Sequence, residues 1–296
     1  MSWAAHEFEN YFLQRKTGVK VSFFGLVLGG LAPDLFTKYF VYHVRPEDAA
    51  HFHRGWPGVG FSHSLIFGAV FAVVVLKLTG SRSWALGILI GQWAHVLTDF
   101  CDTAGDMPFF PFSIEPVTIS MWKHAAAAGR YGDAAAYYSG LGGVWDFFWL
   151  AMTLLFARVT LTAEYFRRVV IPADPKVWGW LHRKLRLPER ALRLIYLGLL
   201  FYGAGRMTSW FLLARFRERV PFQPHWGGPE YIGRANDLSQ ASFVEVCIRT
   251  GIGGACFAAF LYLCWRWFVR RWWEAGSDPP IVGERGAGLS VAFGDK

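Results

Sequence analysis

Apolar residues along this chain fall in long blocks rather than alternating with polar ones. Blocks at 61–79, 83–100, 143–161, 194–214 and 250–269 are predominantly apolar, and another, 21–40, is interrupted by Ala32, Pro33 and Asp34. A helix needs roughly 20 such residues to cross the hydrocarbon core of a bilayer. The pattern therefore predicts an all-α, polytopic transmembrane helical bundle of five to seven membrane helices. "KVWGWLHRKLRL" (176–187) reads instead as an amphipathic helix lying on the membrane surface. The tail 274–296 is rich in Gly and Pro and is expected to be disordered. "MSWAAHEFENYF" lacks a basic region followed by a long apolar run, so no cleaved signal peptide is expected.

Composition agrees with a membrane protein. Charged residues make up 18% of the 296 positions, against about a quarter in an ordinary soluble domain. The net charge of +8 calls for no nucleic-acid partner, because the basic residues cluster in loops. Residues 1–20, 77–82, 158–193 and 266–296 carry 19 of the 30 Lys and Arg; 38–54, 123–130 and 215–249 carry 10, and Arg206 lies inside an apolar block. Basic loops stay on the cytoplasmic side, so the first group is expected there and the loop 101–142 outside. Cys256 and Cys264 lie in the last apolar block and read as small apolar residues; a Cys101–Cys247 disulfide is possible but no spacing rule supports it.

With that topology, His and Asp residues from separate elements gather at the outer end. Asp34 ends the first block, His51, His53 and Arg54 precede the second, and His63 opens it. His95 and Asp99 close the third, and Asp146 opens the fourth. Ionisable groups inside a membrane cost roughly 2.5–3.5 kcal/mol each and mark functional sites. "HVLTD" sets His95 and Asp99 four apart, on one helix face. Imidazole plus carboxylate suits zinc and its first-row neighbours. His53 and His63, ten apart across a Gly/Pro loop, could close on the same ion, and Arg54 has the planar fork that fits a phosphate or carboxylate. Each has a plainer reading: an interfacial histidine, a hydrogen-bonded HxxxD pair, or for Asp34 a helix cap. Arg206 reads as the structural partner of a buried acid.

The order of these motifs resembles the YdjM-like family of membrane-bound metal-dependent hydrolases, distantly similar to zinc-dependent phospholipase C. The matching residues are His6, "GGLAPD" ending at Asp34, "HRG" at 53–55, "SHSL" at 62–65, "GQWAHVLTD" at 91–99 and "TAGDMPFFPF" at 103–112. Phe36 stands where the family has a second Asp, "WPGVG" widens the gap before "SHSL", and Ser62 replaces a threonine. The resemblance covers residues 1–160, a hydrolase-like membrane domain; residues 161–273 add membrane helices and a basic loop. It implies His6, Asp34, His53, His63, His95, Asp99 and Asp146 as ligands of one to three zinc ions. Asp34 or Asp102 becomes the general base and Arg54 the holder of the substrate's oxygens. The implied substrate is a phosphoester of a membrane lipid or lipid-linked molecule, cut at the outer face of a bacterial or archaeal cytoplasmic membrane. A non-catalytic membrane metal-binding, transport or adaptor protein is the alternative.

The placement of His6 leaves two readings. Residues 2–15 and 21–40 could form a helical hairpin turning at "RKTGVK", which would bring His6 level with Asp34 and His95. Alternatively, residues 1–20 form an amphipathic cytoplasmic helix with His6 unused. Pro33, which disfavours helix at Ala32, limits the helical part of the first block to 21–32.

Overall fold

The computed structural model describes residues 4–36, 61–102, 105–115, 117–122, 132–224, 226 and 242–275. His51, His53, Arg54 and the tail from 276 on lie outside the described residues.

The described chain is all-helical; its one β feature among those residues is the isolated bridge between Asp106 and Val117. The principal helices are α1 (Ala5–Thr17), α2 (Phe23–Phe36), α3 (Leu65–Thr79), α4 (Arg82–Thr98), α5 (Gly132–Tyr138) and α6 (Leu141–Leu155). After short helical turns over 157–173 come α7 (Pro175–Lys184), α8 (Glu189–Leu212), α9 (Phe243–Cys264) and α10 (Arg270–Ala275). The amphipathic segment forms α7. Cys101 and Cys247 are free thiols, which removes the disulfide considered between them.

Among the described residues, one continuous helix, Phe243–Ala275, is long and apolar enough to cross a membrane by length and composition. Only 11% of its most apolar window is buried, so its apolar side chains face outward rather than into a protein core. The other apolar helices, Phe23–Leu35, Leu65–Thr79 and Leu141–Leu155, are shorter than a full span.

α1 and α2 form a hairpin through the 3₁₀ turn Gly18–Lys20. α1 is polar yet central: every residue from Ala5 to Tyr11 is buried. Several of its polar groups are matched by partners on distant elements. Glu7 pairs with Arg206 of α8 at 3.1 Å, supplying the buried acid expected for that arginine. Tyr11 donates to the Tyr196 carbonyl at 2.5 Å and accepts from the Leu200 amide at 3.0 Å. The N-terminal amides of α2 are capped from a distance. Asp174 accepts from Phe23 N at 2.7 Å and from the Ser22 hydroxyl, and burial pushes its carboxyl up to about 6.

α2 continues through Pro33 to Phe36, so the expected end of helix at Ala32 is not observed. The reason is tertiary. α2 and α4 run parallel in close contact, and glycines line the crossing: Gly25 and Gly29 on α2, Gly87 and Gly91 on α4. A methyl group added at Gly29 would overlap the Ile88 backbone, and one at Gly91 the Leu26 carbonyl. Such small-xxx-small pairs let helix backbones approach without a side-chain layer between them. Packing along the whole helix outweighs the local preference of the residue before proline.

Candidate metal centre

The parallel α2/α4 pair brings the C-terminal end of each helix to the same level. Asp34 sits in the last turn of α2, and His95 in the last turn of α4, with Asp99 just beyond. His63 reaches them from the turn before α3. Ser64 caps that helix by accepting the Phe67 amide at 3.1 Å. The buried Gln92 of α4 donates to the carbonyls of Ser62 and Ser64, at 3.2 and 2.9 Å, and so pins both flanks of His63.

Asp34, His63, His95 and Asp99 each offer a ligand atom, and these atoms lie within 4.8 Å of one another. His95 Nε2 is 3.4 Å from Asp99 Oδ2. His63 Nε2 is 3.7 Å from Asp99 Oδ2 and 3.7 Å from Asp34 Oδ1. Ligand atoms bound to a tetrahedral zinc at about 2.0–2.1 Å are about 3.3 Å apart, so the spacing fits such an ion with small adjustment.

The tautomer of His95 fits as well. Its Nδ1 lies 2.6 Å from the Gly30 carbonyl, which can only accept, so Nδ1 carries the proton. Nε2 then presents a lone pair, is buried, and makes no hydrogen bond. A backbone carbonyl that accepts from the other ring nitrogen is a usual outer partner of a metal-binding histidine. His63 has the same opportunity, with Nδ1 3.0 Å from the Ser62 hydroxyl.

His6 borders this group without belonging to it. Its Nε2 is 3.1 Å from Asp99 Oδ1, its Nδ1 is 3.3 Å from Glu9 Oε1, and its ring stacks on His95 at 3.8 Å. With a carboxylate at each nitrogen, His6 orients Asp99; the hairpin, not the isolated cytoplasmic helix, describes α1. Glu9, fully buried, also accepts from Thr98 at 2.7 Å. Sequence reasoning missed both Glu9 and Gln92. Glu9 was readable as the i+3 neighbour of His6 on one helix face, and Gln92 as the i−3 neighbour of His95.

Asp146 is not in the group and departs from the ligand role expected of it. Its carboxylate accepts from the Ala4 and Ala5 amides at 2.9 and 3.0 Å and from the hydroxyls of Tyr137 and Tyr138 at 2.9 and 2.8 Å. It caps α1 across 142 residues of sequence and thereby holds His6 in place. Asp146→Ala should cost roughly 3 kcal/mol, the order expected when several buried donors lose one acceptor. Thermal unfolding should show the loss, and metal affinity of the folded fraction should fall by no more than loss of an outer partner causes, because Asp146 acts on Asp99 only through His6. Asp102 is buried, beyond Asp99 in the chain, and also stands outside the four-ligand group.

The fold and site together define a class: an all-helical protein with an apolar, outward-facing helix and a buried His/Asp cluster suited to a divalent ion. The family model described as YdjM inner membrane protein matches residues 4–169, more than half of the chain, and the chain belongs to that family. It is accordingly a membrane protein. Among curated proteins and solved structures the comparisons found no match to this chain.

Proposed function

We propose that this protein is a polytopic membrane hydrolase that cleaves a phosphoester of a phospholipid or lipid-linked substrate with the help of a bound zinc-type ion. The observation that carries the reading is the convergence of Asp34, His63, His95 and Asp99 within 4.8 Å, with His95 already in the ligand tautomer. Those residues would hold the ion, and His6, Glu9 and Gln92 would hold those residues. When bound, such an ion supplies Lewis acidity and a water with a pKa near 7.

The chain's own groups would do the rest. Asp34, the least enclosed of the four at 14% side-chain exposure, marks the side from which a substrate would enter. It would take the proton of the attacking water, with Asp102 the other candidate base. Arg54, in the segment joining Asp34 to His63, would bind the non-bridging oxygens of the phosphoester through its planar fork. The site would face outward, at headgroup level. The split of 19 against 10 basic residues between the two sets of loops supports that orientation. A cysteine placed at Ser113 should therefore react with an impermeant reagent added outside the cell, and one at Lys176 should not. The opposite labelling would move the site to the cytoplasmic leaflet.

A second reading has an observation of its own. His63, His95 and Asp99 have no solvent exposure, and closed sites are the habit of structural zinc. Metal analysis of the purified full chain combined with phospholipid turnover tests both. Zinc with turnover supports the hydrolase, zinc without turnover on any lipid phosphoester supports the structural or transport role, and no metal removes both.

A further inference from the structure

The long helix Phe243–Ala275 changes character at its end. Its apolar stretch closes at Cys264, and "WRWFVRRWWE" follows. Residues Trp265–Val269 form a π turn, in which the Arg270 amide bonds the Trp265 carbonyl five residues back. Arg266 lies inside this turn, and Arg270 and Arg271 follow it directly. These arginines, Trp267 and Glu274 line a surface cavity of about 550 Å³. Arg270 is paired with Glu274 at 2.7 Å. Among the described residues, Arg266 and Arg271 have no ion pair or hydrogen-bond partner.

Two features fix this cavity at the boundary between apolar and polar surroundings. The amphipathic helix α7 packs here: Lys176 Nζ lies 4.7 Å from the centre of the Trp273 ring, and Trp180 meets Trp272 at 6.1 Å. A concentration of tryptophan is typical of the headgroup level of a bilayer. Next to the arginines, Trp267 and Phe268 are 65% and 72% exposed, and the exposed flank continues down the helix through Leu263 and Phe260. A ligand that fills the cavity and also covers that flank needs an anionic head and a long apolar body.

We propose that Arg266, Arg270 and Arg271 bind the phosphate of an anionic phospholipid whose acyl chains lie along the Phe260–Phe268 flank. The guanidinium fork matches phosphate oxygens in pairs. Three arginines against Glu274 leave an excess of positive charge, which favours an anionic lipid over a zwitterionic one. The site is separate from the His/Asp cluster and independent of its chemistry.

The test uses the purified full chain in detergent, with phosphatidylglycerol, phosphatidylcholine or inorganic phosphate added at equal phosphate concentration. Phosphatidylglycerol should raise the unfolding temperature by roughly 5 °C at saturation, and the other two by much less. The Arg266→Gln/Arg271→Gln double variant should lose most of that rise, while Arg219→Gln keeps it. Native mass spectrometry should count one fewer retained phosphatidylglycerol per double-variant chain. If the double variant does not accumulate, each single variant is read by the same mass measurement. An equal rise with phosphatidylcholine or with inorganic phosphate overturns the proposal, as does an undiminished rise in the double variant or no rise in the wild type.

Discussion

His95→Ala and Asp99→Ala should each strip the protein of bound zinc and reduce phosphoester turnover to background. Asp99 is the hub of the centre. It lies 3.1 Å from His6, 3.7 Å from His63 and 3.4 Å from His95, so its removal takes a ligand and leaves buried imidazoles facing one another. Loss of an outer partner of a metal ligand typically costs 10–100-fold in metal affinity; loss of a ligand itself should exceed that. Gln92→Ala should fall in the 10–100-fold range, because it releases the turn carrying His63 and not a ligand. His182→Ala is the control, since that histidine lies on the exposed part of α7, its Nδ1 2.9 Å from the Leu187 carbonyl. Zinc per chain by elemental analysis and turnover on a phospholipid are the two readouts. Full metal and full turnover in Asp99→Ala would remove the centre from consideration.

Gly91→Ala and Gly29→Ala should be nearly as damaging, although each adds a single methyl group. At both positions the added carbon would overlap backbone of the facing helix, which has no rotamer with which to give way. Overpacking costs typically 1–3 kcal/mol where side chains can adjust; here α2 and α4 must separate, and the cost should lie at or beyond the top of that range. Separation also breaks the centre, because His95 stands one turn beyond Gly91 and its Nδ1 bonds the Gly30 carbonyl of α2. The expected result is a protein that unfolds at lower temperature and binds zinc weakly. Gly254→Ala in α9 meets open space and should change stability by less than about 1 kcal/mol. Wild-type unfolding and zinc binding in Gly91→Ala would show that α2 and α4 do not pack on glycine.

The helices themselves were legible as apolar blocks. The blocks at 61–79 and 83–100 became α3 and α4 with boundaries shifted by a few residues, and 250–269 fell inside the continuous helix Phe243–Ala275. Their membrane role is less directly visible, because most of the apolar helices are shorter than the blocks that announced them. The end of α4 tightens into a 3₁₀ turn at Asp99–Cys101, and a π turn at Trp265–Val269 interrupts the long helix Phe243–Ala275; neither turn is announced by Pro or Gly. Among the site residues, "HVLTD" set the relation of His95 to Asp99, since residues four apart lie on one face of an α-helix.

What the sequence by itself determined is therefore local: which stretches are helical, which face of each helix carries His or Asp, and the family pattern that orders them. The tertiary structure decided which of those faces meet. Asp146 carries the same carboxylate as Asp99 and opens an apolar block just as Asp99 closes one, yet it caps α1 while Asp99 anchors the centre. His6 lies 93 residues from the carboxylate it touches, and the glycine crossing that aligns Asp34 with His95 is a matter of two backbones in contact. Periodicity orients a side chain about its own helix axis only. The angle and distance between axes come from how two whole surfaces pack, and it is that packing that sets four ligand atoms within 4.8 Å of one another.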